Sequence, residues 1–107
     1  MEVFFQASTD PKKKMMAVFY RDGKKIKTTH FGSKANKDFT IYSKESKERA
    51  AVEKKKYIAR HKVRENWNAP MTAGALSKHI LWNKPTREAS ISDYVRRFKM
   101  KRLRNPK

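Results

Sequence analysis

The sequence contains no cysteine, so disulfide bonds and thiolate metal sites are excluded. This absence argues against a small secreted scaffold and favours a reducing compartment. Long apolar runs are also missing, because Val3–Phe5 is far too short for a signal peptide or a membrane span. The three glycines are too scattered to hold a nucleotide phosphate, and there is no nucleophile elbow. Acidic residues are scarce, with 10 against 28 lysines and arginines.

The excess of basic residues gives a formal net charge of +18 and a pI near 10.4 on 107 residues. The length and the 37% of hydrophobic residues suit one small domain with a modest core. Two Trp, four Tyr and six Phe need burial, which argues against a disordered tail. Because self-repulsion of this size destabilises the compact state, we expect a polyanion or an acidic protein surface to relieve it on binding.

A β-hairpin is predicted over residues 15–31. Two runs of strand-forming residues flank Asp22-Gly23, and Asp-Gly is a strong signal for a type I′ turn. An isolated hairpin is marginal in water, so a third strand is expected from either Val3–Phe5 or Phe39–Tyr42. Residues 32–37 are predicted to form a polar loop.

About three helices are predicted after the sheet. The first runs from Lys44 to about Arg64 with Ser43 as its cap, the second from Ala73 to about Leu81 after Thr72, and the third follows Thr86. In the third, Ile91, Val95 and Phe98 have the spacing of an apolar helix face. We therefore predict an α+β fold in a single domain, 1–107, with an N-terminal arm or edge strand (1–14), a folded body (15–98) and a flexible basic arm (99–107).

Three dense runs of positive charge are the candidate binding residues. Lys54–Lys56 is partly offset by Glu48 and Glu53, whereas the stretch from Arg96 to Lys107 contains no acid. These side chains suit contact with the phosphates of nucleic acid or with acidic protein surfaces. The candidates are Lys12, Lys13, Lys14, Lys54, Lys55, Lys56, Arg96, Arg97, Lys99, Lys101, Arg102, Arg104 and Lys107.

His61 and Glu65 stand at i, i+4 on the long helix, one turn after Tyr57. A general base or a metal site would use such a stripe, but a metal needs further ligands, and only His30 and His79 remain. We interpret the stripe as a structural cluster and predict no catalytic residues, no metal and no cofactor.

Two aromatic residues and one histidine have both a core and a binding interpretation. Trp67 and Trp82 sit beside proline-containing breaks, so we interpret them as core residues rather than as platforms for stacked bases. His79 is expected on a helix surface or at an interface.

A series of short motifs occurs in a fixed order between Phe31 and Phe98. They are Phe31-Gly32, Asp38–Ile41, Tyr57–His61, Glu65–Asn68, Pro70–Ser77, Ile80–Thr86, Ser90–Tyr94 and Arg97-Phe98. In these residues the chain resembles a small basic protein family of nucleocytoplasmic large DNA viruses, notably those of algae, to which no function is assigned. The resemblance spans roughly two thirds of the chain, which departs from the family at Ala35, where glycine is usual, and at Ala69, where an acid is usual.

The resemblance implies a viral protein but supplies no reaction. We expect a virion structural protein, a minor capsid or cement component made in the host cytoplasm, whose basic surface and arms bridge acidic surfaces of capsid or other virion proteins. The alternative is a non-sequence-specific DNA-binding protein that packages or condenses the genome through phosphate contacts. A third class, a nuclease acting through His61 and Glu65, is the least favoured. The sequence has no RNP aromatic pair, zinc-finger spacing or basic zipper heptads.

Overall fold

The computed structural model describes residues 1–107 and has an α+β architecture, as predicted, with a four-stranded mixed sheet covered on one face by helices. The strands are β1 (Glu2–Ala7), β2 (Lys13–Arg21), β3 (Lys24–Ser33) and β4 (Lys101–Leu103), in the order β3-β2-β1-β4. β2 pairs antiparallel with both β1 and β3, and β4 pairs parallel with β1. The molecule measures 42 × 26 × 23 Å.

The predicted hairpin is confirmed as β2 and β3. Asp22 and Gly23 have φ values of 53° and 78°, the left-handed conformation that a type I′ turn requires at both central positions. Alternate residues of β2 point to opposite faces. Met15, Ala17 and Phe19 join the main core beneath the helices, whereas the intervening residues form a smaller apolar cluster on the other face.

The third strand comes from β1, and the alternative at Phe39–Tyr42 is wrong. These residues begin helix α1 (Phe39–Glu45), because the Asp38 carboxylate accepts hydrogen bonds from the backbone N–H groups of Thr40 and Ile41. The prediction of an arm or edge strand for residues 1–14 is also wrong. β1 lies inside the sheet, because β4 pairs with its outer side.

The long helix predicted from Lys44 with Ser43 as its cap is divided. α1 ends at Glu45, and α2 (Lys47–His61) starts after Ser46, whose extended backbone interrupts the helix and whose hydroxyl accepts from the Arg49 N–H. Ser46 therefore performs the capping role predicted for Ser43.

The two later helix starts are confirmed. Thr72 caps α3 (Ala73–Leu76), which continues as a π-helical turn, Ser77–Leu81. Thr86 caps α4 (Arg87–Arg97) through the Ala89 N–H. Within α4, Ile91 and Tyr94 are buried against the sheet and against the π-helical turn.

The predicted flexible arm at 99–107 is wrong for its central part. Residues 101–103 form β4, whose Arg102 and Leu103 lie opposite Val3 and Phe4 of β1. Parallel pairing with a strand about a hundred residues earlier orders this segment within the chain itself.

No helix in the structure has both the length and the apolar character needed to cross a bilayer.

Candidate polyanion-binding surface

Lys14 is a structural residue rather than a binding residue. Its ammonium lies 2.6 Å from the Asp38 carboxylate, and the exposed fractions of the two side chains are only 8% and 2%. Arg87 approaches the same carboxylate at 3.9 Å. Of the first basic run, only Lys12 and Lys13 remain without a carboxylate partner, and only Lys12 is fully exposed.

The second basic run is also divided. Lys54 donates to the Asn83 carbonyl at 2.8 Å and lies over the Phe39 ring, and its burial lowers the pKa of its ammonium. Lys56 lies 3.5 Å from Glu53, so Lys55 alone is exposed and unpaired. The three adjacent lysines therefore do not form one surface.

The C-terminal cations mostly face acids of this chain. The Arg102 guanidinium forms two hydrogen bonds with the Glu88 carboxylate, at 2.6 and 3.1 Å, and lowers the pKa of that carboxyl. The ammonium of Lys107 lies 2.7 Å from the Glu2 carboxylate and lowers its pKa in the same way. Arg104 lies 3.8 Å from Glu88.

Asp93 holds two further cations of this segment. Asn83 donates to its carboxylate at 2.8 Å and is the main cause of its lowered pKa, with Arg96 and Arg97 adding to the effect at 3.0 and 3.5 Å. Only Lys99 and Lys101 of the C-terminal run are exposed and unpaired. Exposed ion pairs are weak, so they do not prevent phosphate contact, but each acid reduces the local positive charge.

A group of unpaired cations lies at a hairpin tip where no binding site is predicted from the sequence. The tip of the β2–β3 hairpin, residues 21–27, is exposed throughout and contains a single acid, Asp22. None of its basic side chains contacts a carboxylate. They are Arg21, Lys24, Lys25 and Lys27. The signal in the sequence is their spacing on both sides of the Asp22-Gly23 turn, because only two of the four are adjacent in the chain.

The base of this hairpin is anchored. Phe19 and Tyr20, which precede the tip, are fully buried on opposite faces of β2. The hairpin tip is therefore presented on a two-stranded ribbon whose base is anchored in the fold.

Tyr57 and His61 lie on α2, but Glu65 lies beyond the end of that helix, so the three do not share one helical stripe as predicted. Their side chains nevertheless cluster beside a polar cavity of about 500 Å³. His61 Nδ1 lies 3.2 Å from Glu65 Oε1, and the Trp67 indole donates to Glu65 Oε2 at 2.8 Å. The Tyr57 ring is stacked between those of His61 and Trp82, at centroid distances of 4.3 and 4.6 Å. Both carboxylate oxygens are thus engaged, and no group of three metal-ligating side chains occurs in the structure.

The aromatic and histidine predictions have different outcomes. Trp82 is buried in the main core, as predicted, whereas Trp67 is only half-buried. The surface position expected for His79 is wrong, because the π-helical turn directs it inward. Its Nε2 is 2.9 Å from the Trp67 carbonyl, and its Nδ1 has no hydrogen-bond partner.

His79 predicts a pH dependence of stability. Burial, with smaller contributions from Lys78 and Arg97, lowers its pKa below 6.5 despite the opposing effects of the Trp67 carbonyl and Asp93. The unfolded chain then binds more protons, so the free energy of unfolding should decrease as pH falls below about 6.5 and level off below the folded pKa.

Denaturant unfolding between pH 7 and 5 measures this dependence. His79→Gln should flatten the curve across that interval, whereas His30→Gln, which leaves His79 in place, should retain it. An unchanged curve for His79→Gln would show that other groups cause the pH dependence.

Comparison with family models, characterised proteins and solved structures finds no match to this chain.

Proposed function

We propose that this chain is a non-enzymatic protein that binds duplex DNA without sequence preference and condenses or packages a viral genome. The observation that carries the proposal is the hairpin tip, where four unpaired cations project from an anchored ribbon. Phosphate attraction by mobile lysines supplies affinity without reading bases. The viral assignment rests on the sequence resemblance alone.

The position of the C-terminal segment favours this function over a role in the virion shell. An ordered basic arm would suggest an external protein partner if nothing in the chain accounted for its order. Here β4 pairs with β1, and Glu2 and Glu88 neutralise Lys107 and Arg102. The arm therefore needs no capsid surface to hold it.

A salt titration against random-sequence duplex DNA tests the proposal. For the triple variant Lys24→Gln, Lys25→Gln, Lys27→Gln, the slope of log Kd against log salt should decrease by about 2 to 3. Affinity near 0.1 M salt should fall by about 100- to 1,000-fold, because each lost phosphate contact contributes close to one log unit there.

The matched control replaces three exposed, unpaired lysines of the helical region, with the same change in net charge. These are Lys44, Lys47 and Lys55. A smaller loss in this control supports a localised site at the hairpin, whereas an equal loss would indicate only diffuse attraction. Absence of salt-dependent binding by the parent protein would contradict the proposal.

A second candidate function, a minor capsid or cement protein, is supported by a different surface. An apolar groove of about 560 Å³ lies along α2 beside Pro85, lined by Phe39 and Ile58, with Lys47 and Lys55 among its polar residues. Apolar contact beside positive charge suits an acidic surface of a capsid protein.

The location of the protein in purified particles separates the two functions. Release together with the genome supports DNA binding. Retention in the emptied shell at a fixed stoichiometry supports the structural role and would overturn the first proposal.

A further inference from the structure

The hairpin tip carries an exposed apolar side chain among its cations. Ile26 stands between Lys25 and Lys27, and 42% of its surface is accessible. In the β2–β3 register, Phe19 lies opposite Lys27 and Tyr20 opposite Lys25, which leaves Ile26 unpaired in a β-bulge. Such bulges redirect side chains and increase the local twist of the ribbon.

The fold does not require isoleucine at this position. Ile26 belongs to neither hydrophobic cluster and is not among the side chains packed against them. Packing in the two clusters therefore does not account for this side chain, and 42% of its surface is free to contact a partner.

We propose, on the basis of the DNA-binding function above, that the hairpin tip enters the minor groove and that Ile26 wedges between adjacent base pairs and bends the duplex. Minor-groove proteins use apolar wedges of this kind, including isoleucine, together with basic side chains. Lys25 and Lys27, which flank Ile26 in sequence, are placed to neutralise phosphates beside the groove.

The dimensions of the ribbon explain why bending accompanies insertion. Two paired strands are about 4.8 Å apart between their backbones, and their side chains add to this width. The minor groove of straight B-DNA is only about 6 Å wide, so it must open to admit the ribbon. A kink toward the major groove opens it. The buried Phe19 and Tyr20 hold the base of the ribbon against the resulting force.

Fluorescence energy transfer between dyes at the two ends of a duplex of about 30 base pairs measures the bend. The duplex has a central TA step, because pyrimidine–purine steps unstack easily. The parent protein should shorten the end-to-end distance by an amount corresponding to a bend of about 20 to 90°.

Variants at Ile26 distinguish a wedge from charge attraction. Ile26→Ser keeps every cation, so we expect its affinity to stay within about threefold of the parent while the bend is lost. Ile26→Leu should retain the bend. Val52→Ser removes another exposed apolar side chain, in α2, and should bend DNA as the parent does.

Failure of the inference and failure of the proposed function give different results. If the parent protein bound the duplex tightly and with salt dependence but did not bend it, the wedge would be overturned and DNA binding would stand. Equal bending by the parent and by Ile26→Ser would have the same consequence. If the parent bound no duplex at low salt, the DNA-binding function and the wedge would both be wrong.

Discussion

Replacing Trp82 by alanine should lower the free energy of unfolding by about 3 to 5 kcal/mol. Trp82 is only 8% exposed. Its indole lies parallel to the Tyr57 ring, with an interplanar angle of 6° and a centroid distance of 4.6 Å. The truncation removes this stack and leaves a cavity at the end of the π-helical turn. Because small domains are stable by only about 5 to 15 kcal/mol, the variant should be close to unfolding.

Urea denaturation followed by circular dichroism measures this loss, and Trp67→Ala is its matched control. Trp67 is half-buried, and its indole N–H makes one hydrogen bond to Glu65. Its loss should cost about 1 to 2 kcal/mol. Equal denaturation midpoints for Trp82→Ala and the parent would show that Trp82 does not support the core.

The second large effect is expected for Asp38→Ala, at about 3 to 5 kcal/mol. The substitution leaves the Lys14 ammonium buried without its counter-charge. It also removes the carboxylate that caps α1 through the N–H groups of Thr40 and Ile41. Chemical denaturation gives the change in stability, and the far-ultraviolet signal should report partial loss of α1.

Glu45→Ala is the control for this prediction. It removes the Lys37–Glu45 ion pair, whose oxygen-to-nitrogen distance of 2.9 Å resembles that of the buried pair but whose side chains are about half-exposed. Exposed pairs contribute between about 0 and 1 kcal/mol. Similar effects of Asp38→Ala and Glu45→Ala would contradict the importance of burial at Asp38.

The elements predicted correctly are those determined by neighbouring residues. Asp22-Gly23 specifies its turn through backbone conformation, and Thr72 and Thr86 cap helices through N–H groups three residues later. The first helix start was misplaced because Asp38, Ser43 and Ser46 are all suitable caps. Burial and tertiary contacts select among them, and a local pattern does not contain that information.

β4 was missed for a related reason. Lys101–Leu103 is too short and too polar to show a strand pattern, and its partner strand begins at Glu2. Parallel pairing over such a distance in sequence has no local signature.

The binding surface was only partly predictable because charge neutralisation is also non-local. Lys14, Arg102 and Lys107 all belong to the dense basic runs of the sequence, which predict binding residues. Their acidic partners are Asp38, Glu88 and Glu2, which lie 24, 14 and 105 positions away. Folding pairs these cations with acids of the chain itself, whereas the charges of the hairpin tip have no such partners.

Reversing the charge of Arg102, which is only 17% exposed, should therefore disturb the fold as well as any contact.

The pairing of β4 with β1 has a consequence for biosynthesis. β1 leaves the ribosome about a hundred residues before β4, which at ordinary elongation rates is a delay of roughly 5 to 20 seconds. During that interval the outer backbone groups of β1 are open to pairing with another nascent chain, a known route to aggregation. Completion of the sheet thus waits for the synthesis of β4, and slower elongation between β1 and β4 would prolong the vulnerable period.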